Sequence, residues 1–502
     1  MNRRNFLRLL AASTSLAASP TTFADSAAKR PNVILVMADD LGFGDVGFNG
    51  NTIVHTPHLD QLSREGARFT RFYAGSPVCS PTRGTCLTGR HYLRYGVTHA
   101  NEGALPREEI TLADICRERG YRTGHFGKWH LGTLSKTEKD GNRGGPEHPE
   151  LFSPPWHHGF DTCFSTEALV PSWDPAITPA EGKNIWGEPG TPWRSAYWNE
   201  RGERERDNLA GDDARVIVDR VEPFLRACAR DQQPFLAVIW FHTPHTPIVA
   251  GPEYRNAFSN HPEPLQHYYG AIKAMDEQIG RLNSLIKTLG VENDTAIWFA
   301  SDNGPEGKGD NALDVRTHGS TGGLRGRKRS LYNGGIAVPA LVKWPAMVKP
   351  GTIYDMPCST LDYLPTIVDL LDHTMPDARP IDGISLAPML RGLQSTRGKP
   401  IPFRFHEEKK YTFGAPTFAM IDDQFKLLTN LSESGAEDEC FDLLADPFEQ
   451  KNIVAESEAF RARMRAQLNE FVASCRNSHA GKDYPTPYTP ITSFQEPTGT
   501  WK

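Results

Sequence analysis

The sequence has few of the features that mark several large protein classes. Its eight cysteines are scattered over 502 residues with no CxxC pair, so neither a zinc ribbon nor a cystine framework is predicted. The net charge is only −6, from 55 basic and 61 acidic residues, which gives no polycationic surface for nucleic acid. Beyond residue 30, no apolar run approaches the ~18 residues that cross a bilayer. This leaves a soluble globular chain, long enough for one large domain and a smaller one.

The first residues predict export. The twin arginines of Asn2–Arg8 precede a short apolar stretch, Leu9–Ala18, and small residues at Thr22–Ala24 suit a cleavage site. This arrangement resembles a bacterial twin-arginine signal; an ordinary secretory signal or a short anchor is the alternative. We therefore set residues 1–28 apart as an export signal and expect a periplasmic or secreted protein. Because twin-arginine export machinery carries folded proteins, any cofactor or modification should be in place before export.

Three nearly unbroken apolar runs, at 32–38, 235–241 and 295–301, predict strands that are buried on both faces. Segments between them carry apolar residues at three- and four-residue spacing, as in Ile272–Leu289, and predict amphipathic helices. This alternation predicts an α/β fold with an open sheet, whose site lies at the carboxyl ends of the strands. The polar clusters that follow the three runs are Asp39-Asp40, His242-Thr243-Pro244-His245 and Asp302-Asn303.

One stretch combines a cysteine, a proline and an arginine in a way that predicts an anion site. Pro81 fits the first turn of a helix, where its missing N–H costs nothing, and this places Cys79 at the helix N-terminus. There the helix dipole and the free backbone N–H groups favour negative charge. Arg83 lies one turn further and can face the same side. The alternative for Cys79 is a buried free thiol or a disulfide with Cys86.

The run Cys79–Arg83, continued by Leu87–Arg90, resembles the signature of type I sulfatases, C-[S/T]-P-x-R followed by L-T-G-R. In that family a formylglycine-generating or radical maturase enzyme oxidises the cysteine to Cα-formylglycine, and the hydrated aldehyde attacks sulfate esters. The resemblance implies an alkaline-phosphatase-like α/β fold, with a large mixed sheet flanked by helices and a smaller C-terminal α+β subdomain. We accordingly predict a catalytic domain at 29–395 and a subdomain of antiparallel sheet, helix and extended tail at 396–502.

The residues that end two of the predicted strands offer only oxygen ligands, a set that favours Ca²⁺ or Mg²⁺ over zinc. They are Asp39, Asp40, Asp302 and Asn303. The family resemblance assigns these positions to one divalent cation, usually calcium, that also contacts the formylglycine and the sulfate oxygens. The alternative is that each aspartate only caps the turn that follows it.

Three further blocks resemble the family and occur in the family's order. They are Gly127-Lys128-Trp129-His130-Leu131-Gly132, Pro244-His245-Thr246-Pro247, and Leu324-Arg325-Gly326-Arg327-Lys328 with Tyr332-Asn333-Gly334-Gly335. The resemblance implies that Lys128 and Lys328 bind sulfate oxygens. It also implies that His130 hydrogen-bonds the formylglycine hydrate and that His245 protonates the leaving alcohol.

These roles suit the charge of a sulfate monoester. The ester carries one negative charge and releases an alkoxide, so its site needs cations on the non-bridging oxygens and an acid at the leaving oxygen. The divalent cation, Arg83 and the two lysines supply the first, and His245 supplies the second. The sequence departs from the family at Asn333, where glutamate is usual, and at Ala337, where arginine is usual. We expect both departures to lie outside the chemistry.

We therefore predict a sulfatase, and the substrate class follows from finer resemblances. Lys128–Thr133 and Asn142–Pro146 resemble polysaccharide sulfatases more than lipid or steroid ones, which favours a galactose or N-acetylgalactosamine sulfate. Residues 133–210 hold Trp156–Trp198, a stretch with five of the ten tryptophans, and we expect some of these to face the sugar and others to anchor the loops. The alternatives are a phosphonate or phosphate ester hydrolase of the same superfamily and a non-catalytic sulfoglycan-binding protein.

Overall fold

The computed structural model describes residues 30–180, 187–307, 318–406, 416–432, 434–486 and 488–494. The predicted export signal at 1–28 lies outside the described residues. The chain from Pro31 onward forms one compact unit. Within the ranges given above, no helix combines the length and the apolar character needed to cross a membrane.

The described residues contain fifteen strands, and nine of them form one large mixed sheet. The strands, in chain order, are β1 (Asn32–Ala38), β2 (Ala67–Phe69), β3 (Phe72–Tyr73), β4 (Arg122–Lys128), β5 (Thr162–Thr166), β6 (Trp198–Asn199), β7 (Phe235–Trp240), β8 (Thr295–Ser301), β9 (Leu341–Lys343), β10 (Thr352–Tyr354), β11 (Cys358–Ser359), β12 (Ile401–Arg404), β13 (Phe418–Asp422), β14 (Phe425–Thr429) and β15 (Glu439–Asp442). The order in the large sheet is β10-β2-β9-β8-β1-β7-β4-β5-β6. Its centre, from β8 to β5, is parallel, and β9 and β6 pair antiparallel beside it. The predicted α/β fold with a large mixed sheet is confirmed.

The described residues also contain ten α-helices, most of the longer of which cover the two faces of this sheet. They are α1 (Pro57–Glu65), α2 (Cys79–Thr88), α3 (Leu112–Glu118), α4 (Asp213–Arg230), α5 (Pro252–Arg255), α6 (Glu263–Thr288), α7 (Asn333–Ile336), α8 (Tyr363–Leu370), α9 (Ala387–Leu390) and α10 (Glu458–His479). Alternate residues of β1 belong to different cores: Val33 packs with residues of α3 and α8, and Ile34 packs with residues of α4 and α6. Because neither face of the strand meets water, its sequence is apolar without alternation.

The C-terminal residues form a four-stranded antiparallel sheet in the order β12-β13-β14-β15. One face of this sheet packs on α10. Met420 and Leu427 of the sheet lie in one hydrophobic cluster with Leu468 of the helix. The other face, with Ile421, lies in the same cluster as Val78, directly before Cys79. The helix predicted for this subdomain is α10, which runs from Glu458 to His479.

All eight cysteines lie in described residues, and all are buried and free. A disulfide between Cys79 and Cys86, one of the alternatives for this pair, is therefore absent. Both residues lie on helix α2, and Cys86 belongs to the hydrophobic core that also contains Val33 of the large sheet.

Candidate active site

The crevice forms where β1 and β8 end side by side. The two strands are parallel neighbours with Ala38 opposite Ser301, so Asp39 and Asp302 follow at the same edge. The Asp302 N–H donates to the Ala38 carbonyl at 3.1 Å and extends this pairing by one step. Asp40 then adopts a left-handed backbone with φ 64°, and its N–H donates to Asp302 Oδ1 at 3.1 Å. The strand ends thus bring three carboxylates together.

Cys79 begins α2 at the same crevice, and all ten residues of this helix are buried. The preceding Val78 is extended, and Pro81 occupies the first turn, as its position in the sequence predicts. Burial raises the pKa of the Cys79 thiol, although Lys128 and Lys328 act in the opposite direction. An unmodified thiol in this place stays protonated and is a weak nucleophile.

Two cations reach the carboxylates from neighbouring elements. Arg83 donates to Asp302 Oδ2 at 2.7 Å and lies 3.3 Å from Asp39 Oδ2. Lys128, the last residue of β4, donates to Asp39 Oδ2 at 2.6 Å. Burial opposes ionisation of Asp39, but the surrounding cations hold its pKa well below the usual range. All four side chains are fully buried, so these charges are poorly screened by solvent.

The backbone at Lys128 depends on the glycine before it. Gly127 has φ 101°, and a Cβ at this position would lie 1.9 Å from the carbonyl oxygen of Trp240 on the neighbouring strand. Only glycine permits this approach.

Trp240 also lies under the Arg83 guanidinium, with 5.1 Å between its ring centroid and Arg83 Cζ. The sequence gives no indication of this contact, because Trp240 reads as one more residue of a buried strand.

A third cation, Lys328, donates to Asp40 Oδ1, and its Nζ lies 3.5 Å from Glu306 Oε2. Burial favours the neutral amine, but Asp40 and Glu306 raise the pKa of Lys328 above its usual value. Glu306 also accepts from Arg329. Sequence reasoning did not include Glu306; the available signal was a carboxylate a few residues after the Asp302 cluster.

The charged and polar side chains of the crevice form one cluster, and two of its oxygens have no hydrogen-bond partner within the described part of the chain. They are Asp39 Oδ1 and Asn303 Oδ1, both buried. The Asn303 side chain uses its amide nitrogen, which donates to Asp40 Oδ1 at 2.7 Å, and its amide oxygen stays unpaired. Ligand atoms of Asp39, Cys79 and Asp302 lie within 4.8 Å of one another. The carboxylate and amide oxygens of this site suit a hard divalent cation, and the two unpaired oxygens are available to it as ligands.

With all three carboxylates ionised, the charges of this cluster sum to zero. The carboxylates of Asp39, Asp40 and Asp302 face the side chains of Arg83, Lys128 and Lys328. Burial and the Asp39 charge raise the pKa of Asp302 to about 7, despite the attraction of Arg83. A divalent cation would favour the ionised form of Asp302 and leave the crevice with two positive charges. Such a crevice attracts an anion.

Two histidines lie at the cluster. His130 has φ 57°, is buried, and neither ring nitrogen has a partner among the described residues. Burial lowers the pKa of His130 well below its usual value, and Lys128 adds to this effect. His245 donates through Nδ1 to the Thr246 carbonyl at 2.7 Å, and its Nε2 lies 3.8 Å from Asp40 Oδ2. Burial lowers the pKa of His245 to about 4, and Lys128 contributes to this shift.

Comparison with known proteins identifies the family. The sulfatase family model matches residues 31–373, more than half of the chain, and a model described as N-sulphoglucosamine sulphohydrolase, C-terminal, matches residues 326–477. Human arylsulfatase A is 30% identical over 484 residues, which cover 88% of this chain and 88% of that protein. The chain belongs to the sulfatase family. As a sulfatase it is a sulfuric ester hydrolase.

Solved structures share the fold of this sulfatase. Ps i-CgsB, crystallised in complex with k-i-k-neocarrahexaose, superposes with a TM-score of 0.72 at 24% identity, over 88% of this chain and 93% of that one. A protein described under the metabolism of multiple glycosaminoglycans by Bacteroides thetaiotaomicron superposes with a TM-score of 0.68 at 26% identity, over 88% of this chain and 99% of that one.

All ten predicted site residues of the sulfatase converge on this crevice. They are Asp39, Asp40, Cys79, Arg83, Lys128, His130, His245, Asp302, Asn303 and Lys328. The tryptophans after Thr133 behave differently. Trp193 and Trp198 are buried and pack in the two main cores, so these two are among the tryptophans that anchor the loops. Trp156 is half-buried against one of those cores, and Trp186 lies outside the described residues.

Proposed function

We propose that this sulfatase hydrolyses sulfate monoesters of a carbohydrate through a formylglycine made from Cys79. Asp39, Asp40, Asp302 and Asn303 would hold Ca²⁺, with Mg²⁺ as the alternative. One observation carries the proposal. Cys79 begins a buried helix in a cluster where three cations, three carboxylates and two unpaired acceptor oxygens meet.

The proposed roles follow from charge and position. When bound, the divalent cation polarises a sulfate oxygen, and the hydrated aldehyde at position 79 supplies the oxygen that attacks sulfur. Lys128 and Lys328 neutralise the remaining sulfate oxygens, and Arg83 holds Asp39 and Asp302 in place through its two contacts.

The histidines would handle protons. His130 presents two unpaired nitrogens inside the cluster and would bind a hydroxyl of the hydrated aldehyde. The His245 ring is fixed by its Nδ1–H bond to a carbonyl, so Nε2 is the nitrogen that can carry a proton to the leaving oxygen. A bound anionic ester would favour the protonated imidazole that this step requires.

A carbohydrate substrate is supported by the relatives. One solved neighbour binds k-i-k-neocarrahexaose, and another is described under glycosaminoglycan metabolism. The runs Lys128–Thr133 and Asn142–Pro146 favour galactose or N-acetylgalactosamine sulfate within this class. Steady-state assays on a panel of sulfated galactose, N-acetylgalactosamine and glucosamine derivatives test this choice. Turnover confined to the glucosamine derivatives would contradict it.

We also propose that the protein is exported folded to the periplasm or beyond, with residues 1–28 as its signal. Eight free, buried cysteines support folding in a reducing compartment before transport, because no disulfide has to form. The maturase would then act on Cys79 before the helix is buried. We place the boundary between the catalytic domain and the C-terminal subdomain at 395/396, just before β12.

Mass spectrometry of the peptide around Cys79 tests the proposal first. Protein co-expressed with a formylglycine-generating or radical maturase should lose about 18 Da at this residue relative to the thiol. The modified protein should hydrolyse p-nitrophenyl sulfate, and a Cys79→Ala variant should not. An unmodified thiol under these conditions would favour a non-catalytic sulfoglycan-binding protein. Faster turnover of p-nitrophenyl phosphate or a phosphonate monoester than of the sulfate would favour the phosphoryl hydrolase.

A further inference from the structure

We infer that Arg143 and Glu167 form a positioning pair, which fixes the Cys79 end of α2 against the His130 turn. This inference rests on the proposed function of Cys79 and His130. Neither Arg143 nor Glu167 touches the reacting atoms, and both are fully buried. They would act through Ser80, the residue that follows Cys79.

The Arg143 guanidinium contacts three separate segments. Its Nη1 donates to Glu167 Oε1 at 3.0 Å, and its Nε donates to the Gly103 carbonyl at 2.8 Å. Its Nη2 donates to Ser80 Oγ at 2.9 Å. The planar fork of arginine can make these bonds at once in fixed directions, whereas a lysine ammonium cannot reproduce that geometry.

Ser80 passes this constraint to both reacting groups. Because its oxygen accepts from Arg143, its own hydrogen is available to a carbonyl, and two carbonyl oxygens lie within reach. They belong to His130, at 2.6 Å, and Ala100, at 2.9 Å. The serine beside Cys79 is therefore tied to the backbone of His130. A shift of Ser80 would move the position-79 side chain relative to His130.

Glu167 completes the pair from the end of β5. Its Oε1 accepts from Arg143, and its Oε2 accepts from the Asn142 N–H at 2.6 Å. Gly141 allows this approach, because a Cβ there would lie 1.8 Å from Glu167 Oε2. Both carboxylate oxygens are used inside the protein. The pair therefore also holds the segment that carries Arg143 onto the strand ends of the crevice.

This arrangement predicts a loss of kcat when Arg143 is replaced. Catalysis depends on near-attack geometry, and a displacement of about 1 Å can lower the rate about 100-fold. Arg143→Met keeps an unbranched, flexible stem in the buried site and removes the charged fork. We expect its kcat for p-nitrophenyl sulfate, normalised to formylglycine content, to fall about 10- to 100-fold. KM should change much less, because the sulfate-binding lysines remain.

The matched control is Arg94→Met. Arg94 is another buried arginine, paired with Asp382 at 2.7 Å and bonded to α10 through Ser478. Its replacement should lower the melting temperature but leave the normalised kcat close to that of the wild type. Arg143→Lys should recover part of the kcat lost in Arg143→Met. A normalised kcat in Arg143→Met within twofold of the wild type, or an equal loss in Arg94→Met, would overturn the inference.

A second readout does not depend on turnover. Hydrogen exchange of the peptide that spans Ser76–Arg83 should accelerate in Arg143→Met and not in Arg94→Met, because only the first loses the bond to Ser80. If Arg143→Met does not fold, Glu167→Gln takes its place, with a smaller loss of kcat expected. A wild-type enzyme that carries the aldehyde and hydrolyses no sulfate ester would refute the proposed function. Unchanged exchange in the folded variant would refute the positioning pair.

Discussion

Lys426 donates to Glu449 at 2.6 Å in an ion pair that is fully buried. Both members of the pair form hydrogen bonds with Asn333, a residue at which the sequence departs from the family pattern. Glu449 Oε2 accepts the Asn333 N–H at 2.6 Å, and Lys426 also donates to Asn333 Oδ1 at 3.1 Å. A carboxylate from the C-terminal subdomain thus stands beside the position where glutamate is usual. Glu449 lies more than a hundred positions further along the chain than Asn333.

Restoring the family's glutamate alone should destabilise the protein. Asn333→Glu would place a second carboxylate beside Glu449 with one lysine between them, and we expect a loss of about 2–4 kcal/mol in the free energy of unfolding. Glu449→Gln would leave Lys426 without its counter-charge and should cost about 3–5 kcal/mol. The double variant, with Asn333→Glu and Glu449→Gln together, moves the carboxylate from position 449 to position 333. It should be more stable than either single variant. Urea unfolding of all four proteins measures this, and strictly additive losses would contradict it.

The pair of Arg94 and Asp382 should make stability depend on pH in the acid range. Burial opposes ionisation of Asp382, but Arg94 lowers its pKa to about 2 from the usual 3.8. Because the folded pKa is the lower one, the contribution is present above the unfolded pKa and is lost as pH falls towards the folded one. The difference corresponds to about 2 kcal/mol.

The comparison that isolates this effect is the wild type against Asp382→Asn. The variant lacks the titration, so the gap in unfolding free energy should be constant above about pH 5 and should shrink by about 2 kcal/mol as pH falls to about 2. Urea unfolding at a series of pH values gives the gap. A gap that does not change over this range would show that Asp382 has no depressed pKa.

Calcium should stabilise the protein through the two unpaired oxygens of the crevice. A ligand that binds only the folded state at a hundred times its dissociation constant adds about 2.7 kcal/mol, which raises the melting temperature. Asp39→Asn should lose most of this rise. Asp276→Asn is the matched control, because Asp276 is a buried aspartate that caps α1 through Leu59 N–H at 2.8 Å. An equal calcium shift in both variants would place the ion elsewhere, and a chelator-treated wild type should resemble Asp39→Asn.

Much of the crevice could be predicted because its residues follow strand ends and signature blocks. The apolar run before Asp39 fixes a buried strand, and parallel pairing then brings Asp302 to the same edge. Contacts made by ordinary residues could not be predicted. Arg143 and Glu167 are far apart in sequence, and their pairing depends on tertiary packing that no local periodicity indicates. The buried tryptophans show the same limit, since an aromatic ring in an irregular segment can face a ligand or fill a core.

His245 gives the sharpest test of the proposed chemistry, because the need for an acid depends on the leaving group. Its Nδ1–H is bound to the Thr246 carbonyl, so only Nε2 can deliver a proton. A sugar alkoxide is a poor leaving group and requires that proton, whereas p-nitrophenolate leaves readily without it. His245→Gln should therefore lower kcat on a sulfated sugar by about 100- to 10,000-fold and on p-nitrophenyl sulfate by much less. His373→Gln, at a histidine that pairs with Glu118 at the end of α3 and is not among the crevice residues, is the control and should leave both rates unchanged. Equal losses on the two substrates in His245→Gln would assign this histidine to substrate binding and the proton to another group.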